Sequence, residues 1–164
     1  MRIAVPLAVT FLNVQESNGA NRRSHCSETL PIALDRVVKQ HYPDWHLLNK
    51  KDYRLGCPGI AKVDFYEDGR TVYAFVIERY YGFGGKVDGK LVMAEKKKKE
   101  WELSILSEGE GAGLLRHEPG GKYTDVYGER ELTSKGDVIL YFAESWAIVY
   151  AWTGEKIEKV WLLD

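Results

Sequence analysis

Between Cys57 and Ile77 the chain reads CPGIAKVDFYEDGRTVYAFVI: a strand, a tight acidic turn ending in Asp68-Gly69, and a second strand. An Asp-Gly pair between two runs of β-branched and aromatic residues is a strong local hairpin signal, because glycine accepts the positive φ that a tight turn demands. This one segment commits the chain to antiparallel sheet.

The rest of the chain repeats the pattern. Residues 61–66 and 71–79 are predicted to form the first hairpin, 90–97 and 101–106 a second, and 138–143, 145–152 and 156–163 a closing meander. From Trp146 to Trp152 both faces are apolar. Trp146, Ile148, Tyr150 and Trp152 share one side, and Ala147, Val149 and Ala151 the other, so this strand is expected to be central and covered twice. The helix would cover one face, and sheet curvature or the N-terminal segment the other. That helix is predicted over residues 27–41, where Leu30, Leu34, Val37, Val38 and His41 recur at helical spacing. Ser27 or Thr29 can cap it, Pro31 suits its first turn, and Pro43 stops it. Residues 45–48 read as a short extended segment and 49–56 as a polar connection. The fold class that follows is α+β: one N-terminal helix packed on a curved antiparallel β-sheet, a meander of about six to eight strands.

A chain of 164 residues fits one domain, here residues 27–164, and can bury most of its apolar surface without metal or disulfide staples. A net charge of -1 gives no long-range attraction to nucleic acid or anionic membrane. Lys96 to Lys99, set between Glu95 and Glu100, read as a solvated hairpin tip that discourages edge pairing, so no nucleic-acid partner is expected. At the start, Arg2 precedes a short apolar run to Leu12, with small residues at Ser17, Gly19 and Ala20. Residues 1–20 therefore read as a secretory signal peptide, or alternatively as an edge strand, since Ile3, Val5, Leu7 and Val9 alternate. The run is too short to span a bilayer, which takes about 20 residues. Export implies a periplasmic or secreted protein, and the alternative is cytoplasmic. In an oxidising compartment Cys26 and Cys57 are compatible with a disulfide contributing ~2 to 4 kcal/mol, and in the cytosol they would stay reduced and buried.

In the hairpin, Val63-Asp64-Phe65-Tyr66-Glu67-Asp68-Gly69-Arg70-Thr71-Val72-Tyr73-Ala74 resembles the FG-GAP, integrin-type repeat, with its Asp-Phe-x-x-Asp-Gly turn. In that family the turn often holds calcium, which implies Asp64 and Asp68 as ligands. Tyr66 and Val72 stand where two more oxygen ligands would be expected, so an ordinary Gly-terminated turn is preferred and calcium is the sole cofactor in view. More widely, Cys57-Pro58-Gly59, this hairpin, Tyr150-Ala151-Trp152-Thr153-Gly154 and the closing Val160-Trp161-Leu162 resemble small exported bacterial proteins. That resemblance implies fold and compartment and carries no activity.

Two segments are candidates for function. Tyr80-Tyr81-Gly82-Phe83-Gly84-Gly85 sets three aromatics among glycines, a composition that suits a contact surface. Residues 108–128 read as one long loop, holding His117, Glu118, Tyr123, Asp125 and Tyr127, and loops of such length are usually functional or disordered. His117 with Glu118 or Asp125 could serve as a general base in a small hydrolase, but no serine or cysteine stands in a nucleophile motif, and adjacent strand residues point opposite ways. His25, His41 and His46 lack metal-ligand spacing. The expectation is a non-enzymatic protein that binds a macromolecular partner in the envelope, as a periplasmic inhibitor or immunity-type protein, through Tyr80, Tyr81, Phe83, Tyr123, Asp125 and Tyr127. The alternatives are the hydrolase and a calcium-stabilised structural module.

Overall fold

The structure, a computed structural model, describes residues 29–48, 59–82, 84–143 and 145–163. One short helix, α1 (Ile32–His41), precedes a succession of antiparallel strands: β1 (His46–Leu47), β2 (Ile60–Val63), β3 (Val72–Tyr81), β4 (Lys86–Lys97), β5 (Glu100–Glu110), β6 (Leu114–Glu118), β7 (Gly121–Thr124), β8 (Glu131–Ser134), β9 (Val138–Phe142), β10 (Ala147–Trp152) and β11 (Ile157–Leu163). The α+β class and the two hairpins and closing meander stand where the sequence puts them. The single curved sheet of about six to eight strands does not: among the described residues eleven strands form three sheets.

In the first sheet β3 pairs with β4 and β4 with β5, while β2 and then β1 lie in series along the other edge of β3. The second has the order β11-β10-β9-β6, and the third is the hairpin β7-β8. The reason is burial on both faces. On β3, Phe75 and Ile77 face one way and Ala74 and Val76 the other, and all four are fully buried. Leu34 and Val38 of α1, with Leu30, cover the first face through Ile60, Phe75, Ile77, Val92 and Ala94. The opposite face packs on the second sheet, with Val63, Phe65, Val76, Leu91 and Met93 against Leu115, Ile139, Tyr141, Ile148 and Tyr150. Each buried side chain of this size contributes about 1.5–3 kcal/mol, so neither face can be left wet.

The same logic settles β10. Its Ile148 and Tyr150 face the first sheet, and its Ala147, Val149 and Ala151 join Leu132, Val138, Leu140 and Val160, with Tyr123 packed against them. Among the described residues the second cover is thus the hairpin β7-β8 and not the helix, and the N-terminal segment lies outside the described residues. Residues 108–128 are accordingly no loop. They hold the end of β5, all of β6, which pairs with β9, and β7.

The helix begins at Ile32, with Pro31 at the N-cap position and no side-chain cap bond, later than the start expected from Ser27 or Thr29. Its end is as expected: Tyr42, before Pro43, leaves helical geometry at φ -132 and ψ 62. In β5 the register shifts by one between the pairs Leu91–Ser107 and Val92–Ile105. The extra residue, Leu106, packs into the core between the sheets. The signal-peptide reading of residues 1–20, Cys26 and Cys57 lie outside the described residues.

Candidate functional site

β3 runs from the buried Val72 to a tyrosine pair at its far end, Tyr80 at 60% exposure and Tyr81 at 38%. Successive strand residues point to opposite faces, so the two phenols diverge. Tyr80 donates its hydroxyl to Glu78 Oε1 at 2.9 Å, and that hydrogen bond, foremost, pushes its phenol up. On the face shared with α1, Arg79 pairs with Asp88 at 2.9 Å and Lys90 with Glu108. The Arg79 guanidinium and the Lys90 ammonium each lie over the Trp45 ring, at 4.9 and 5.0 Å. Local desolvation first, and then the Asp88 carboxylate, push the Tyr81 phenol up. A shallow cleft of 230 Å³ opens among Trp45, Arg79, Asp88, Lys90 and Glu108. Phe83 lies outside the described residues.

The other half of the predicted surface belongs to a different layer. Tyr123 sits on β7, half-buried against the outer face of the second sheet, with its hydroxyl donating to Pro119 O at 2.6 Å. Burial, and then the Glu118 and Asp137 carboxylates, push its phenol up. Asp125 organises the turn of the β7-β8 hairpin: its Oδ1 accepts from Glu129 N–H at 2.8 Å, and its carbonyl from Gly128 N–H at 3.0 Å. Tyr127 stands at the tip, 69% exposed, and Val126 N–H donates to Trp161 O of β11. The two tyrosine groups are therefore separate surfaces, one on the helix-covered sheet and one on the hairpin beyond the second sheet.

His117 and Glu118 lie on β6, paired in register with Ile139 and Val138. Glu118 is held by Arg116 at 2.5 Å. With Glu118 ion-paired and Asp125 capping a turn, both carboxylates proposed for acid–base work already have partners.

The acidic turn between β2 and β3 closes on itself. Both carboxylate oxygens of Asp64 face Gly69 N–H, at 3.2 and 3.3 Å, while Asp68 accepts from the backbone and side chain of Arg70 at 3.0 and 2.6 Å. Those bonds, the Arg70 backbone N–H foremost, hold the Asp68 carboxyl below the usual range. Among the described residues no group of three or more His, Cys, Asp or Glu side chains is gathered to hold a metal ion, and no helix is long and apolar enough to cross a membrane.

Sequence reasoning missed two clefts that only folding assembles. One, of 150 Å³, opens where the end of β5 meets Tyr141, Trp146, Ile148 and Trp161 of the second sheet. Gly113 lets two of these rings pack against the backbone, since a Cβ would stand 2.6 Å from the Trp146 ring and 2.7 Å from the Tyr141 ring. The other, of 350 Å³, lies between three turns, β2-β3, β8-β9 and β10-β11, and is lined by Tyr66, Glu67, Thr133, Lys135, Trp152 and Thr153. Both motifs noted in the sequence contribute to it, Tyr66 and Glu67 from the acidic turn and Trp152 and Thr153 from Tyr-Ala-Trp-Thr-Gly. The Tyr66 and Trp152 rings meet edge to face at 5.0 Å, and Arg70 covers Tyr66 at 4.8 Å. Burial first, and the Glu95 carboxylate next, push the Tyr66 phenol up. Comparison with protein-family models, with curated proteins and with solved structures finds no match for this chain.

Proposed function

We propose that this is an exported, non-enzymatic protein of the bacterial envelope that binds a protein partner, as an inhibitor or immunity-type protein does, through the surface around Tyr80 and Tyr81. The observation that carries the reading is the exposure of two aromatic side chains at the end of a strand that is otherwise almost wholly buried. A phenol held on a rigid strand loses little freedom on binding, and such rings dominate the energetics of contact surfaces. The ion pairs Arg79–Asp88 and Lys90–Glu108 beside Tyr81 supply a polar rim of both charges. The exposed tip at Tyr127 is a second candidate contact on the hairpin side. The hydrolase reading around His117 has no comparable support, because Glu118 and Asp125 are engaged elsewhere.

The test is affinity capture from envelope extracts with the full chain and with Tyr81→Ala and Tyr127→Ala made separately, each first checked for an unchanged melting temperature. A partner retained by the parent chain and lost with Tyr81→Ala is the expected result. Loss with Tyr127→Ala alone would move the contact to the hairpin. If no partner is retained in repeated captures, the binding reading fails and a hydrolase screen follows.

A further inference from the structure

We infer that the cleft between the β2-β3, β8-β9 and β10-β11 turns binds a neutral carbohydrate, with a pyranose ring seated against Trp152. This site stands at the opposite end of β3 from Tyr80 and Tyr81, so it is independent of the partner surface.

Size comes first. At 350 Å³ the cleft falls within the range of about 300–1,000 Å³ that small-molecule sites occupy, whereas the other two clefts described are smaller. Its aromatic wall is the half-buried Trp152 ring, held edge to face against Tyr66 at 5.0 Å, while Arg70 lies over the Tyr66 ring itself. The face of an aromatic ring is electron-rich and attracts weakly positive C–H groups, which is what the apolar face of a pyranose presents.

Around that wall converge the polar groups a polyol requires. Lys135 brings donors only, Glu67 acceptors only, and the Thr133 hydroxyl can do either, while Thr153 Oγ1 already donates to Lys156 O at 3.1 Å and is left to accept. Among the described residues neither Glu67 nor Lys135 is held in an ion pair. Both keep their hydrogen-bonding capacity for a ligand, and charges of both signs face the cleft, Lys135 and Arg70 against Glu67 and Glu95. A neutral polyhydroxylated ring matches that balance better than a phosphate or a basic peptide does.

The cleft is also pre-formed. Ser134 Oγ donates to Gly136 O at 2.9 Å with Trp152 O 3.4 Å away, Asp137 N–H donates to Asp64 O at 3.1 Å, and Thr153 N–H to Lys156 O at 3.1 Å, so the three turns are tied before any ligand arrives. Glu67 sits at φ 57, a left-handed conformation that glycine adopts without strain and glutamate does not.

The experiment is an NMR titration of the isotope-labelled full chain with cellotriose, maltotriose and chitotriose up to millimolar concentration, with inorganic phosphate as the charged comparison. At least one trisaccharide should shift the Trp152 indole N–H and the Glu67, Lys135 and Thr153 amides saturably. Lys135→Ala and Thr133→Val, both at exposed positions, should each weaken that binding roughly tenfold, the loss of about one good hydrogen bond, with the melting temperature unchanged. Trp152→Phe, which keeps an aromatic ring beside Tyr66, should weaken it too. The inference is overturned if none of the three sugars moves these resonances, if the shifts persist undiminished in Lys135→Ala and Thr133→Val, or if phosphate alone binds.

Discussion

Tyr66 and Trp152 meet edge to face, ring centroids 5.0 Å apart at 77°, and so fasten the acidic turn before β3 to the end of β10, on different sheets. Around this contact the β8-β9 turn closes with almost no clearance. A Cβ on Gly136 would stand 2.7 Å from Phe65 O, 2.8 Å from Asp64 O and 3.0 Å from Glu67 N, all backbone atoms that cannot swing aside. Gly136→Ala is expected to cost about 1–3 kcal/mol, lowering the melting temperature by several degrees in thermal unfolding. An unchanged melting curve would mean that the turns are not packed this closely.

Glu67 is expected to be worth less to stability than a glycine in its place. Replacing it removes the strain of φ 57, partly offset by the greater freedom of glycine in the unfolded chain, for a net gain of about 0.5–1 kcal/mol. Chemical denaturation of Glu67→Gly measures this directly, and a loss of stability would show that the Glu67 side chain supports the fold itself.

Alkaline pH is expected to unfold the protein through its buried phenols. Burial pushes Tyr141 and Tyr150 above the ordinary value of 10.0. Above that value the unfolded chain has released protons that the folded chain still holds, so stability falls as pH rises through it, and is fully present below. Denaturant midpoints should therefore hold steady from about pH 7 to 9 and decline beyond about pH 10, with a shallower decline in Tyr150→Phe.

Calcium is expected to leave stability unchanged. Asp64 already faces Gly69 N–H, and Asp68 is bound by Arg70, so a cation would have to displace bonds that close the turn. Melting curves in calcium and in chelator should superimpose. A higher melting temperature in calcium would instead mean that these carboxylates can turn to a metal ion.

The amino-acid sequence by itself determined the local elements. Alternation marked both strands around Asp68-Gly69 and the closing meander, helical spacing ending at Pro43 marked the helix, and two apolar faces marked β10 as an interior strand. It also singled out Tyr80 and Tyr81, which the fold leaves exposed. Tertiary structure alone decided what covers each face. A two-residue period says which side chains share a side and nothing about the layer that meets them, so the division into three sheets and the hairpin over Val149 and Ala151 were beyond its reach. Residues 108–128 read as a loop because Leu114, Leu115 and Tyr123 are too few to signal strands, and β6 gains its structure by pairing with the distant β9. The 350 Å³ cleft was hidden for the same reason: Glu67, Lys135 and Thr153 sit in three turns far apart in the chain, and only the packing of one sheet on the other brings them to a common space.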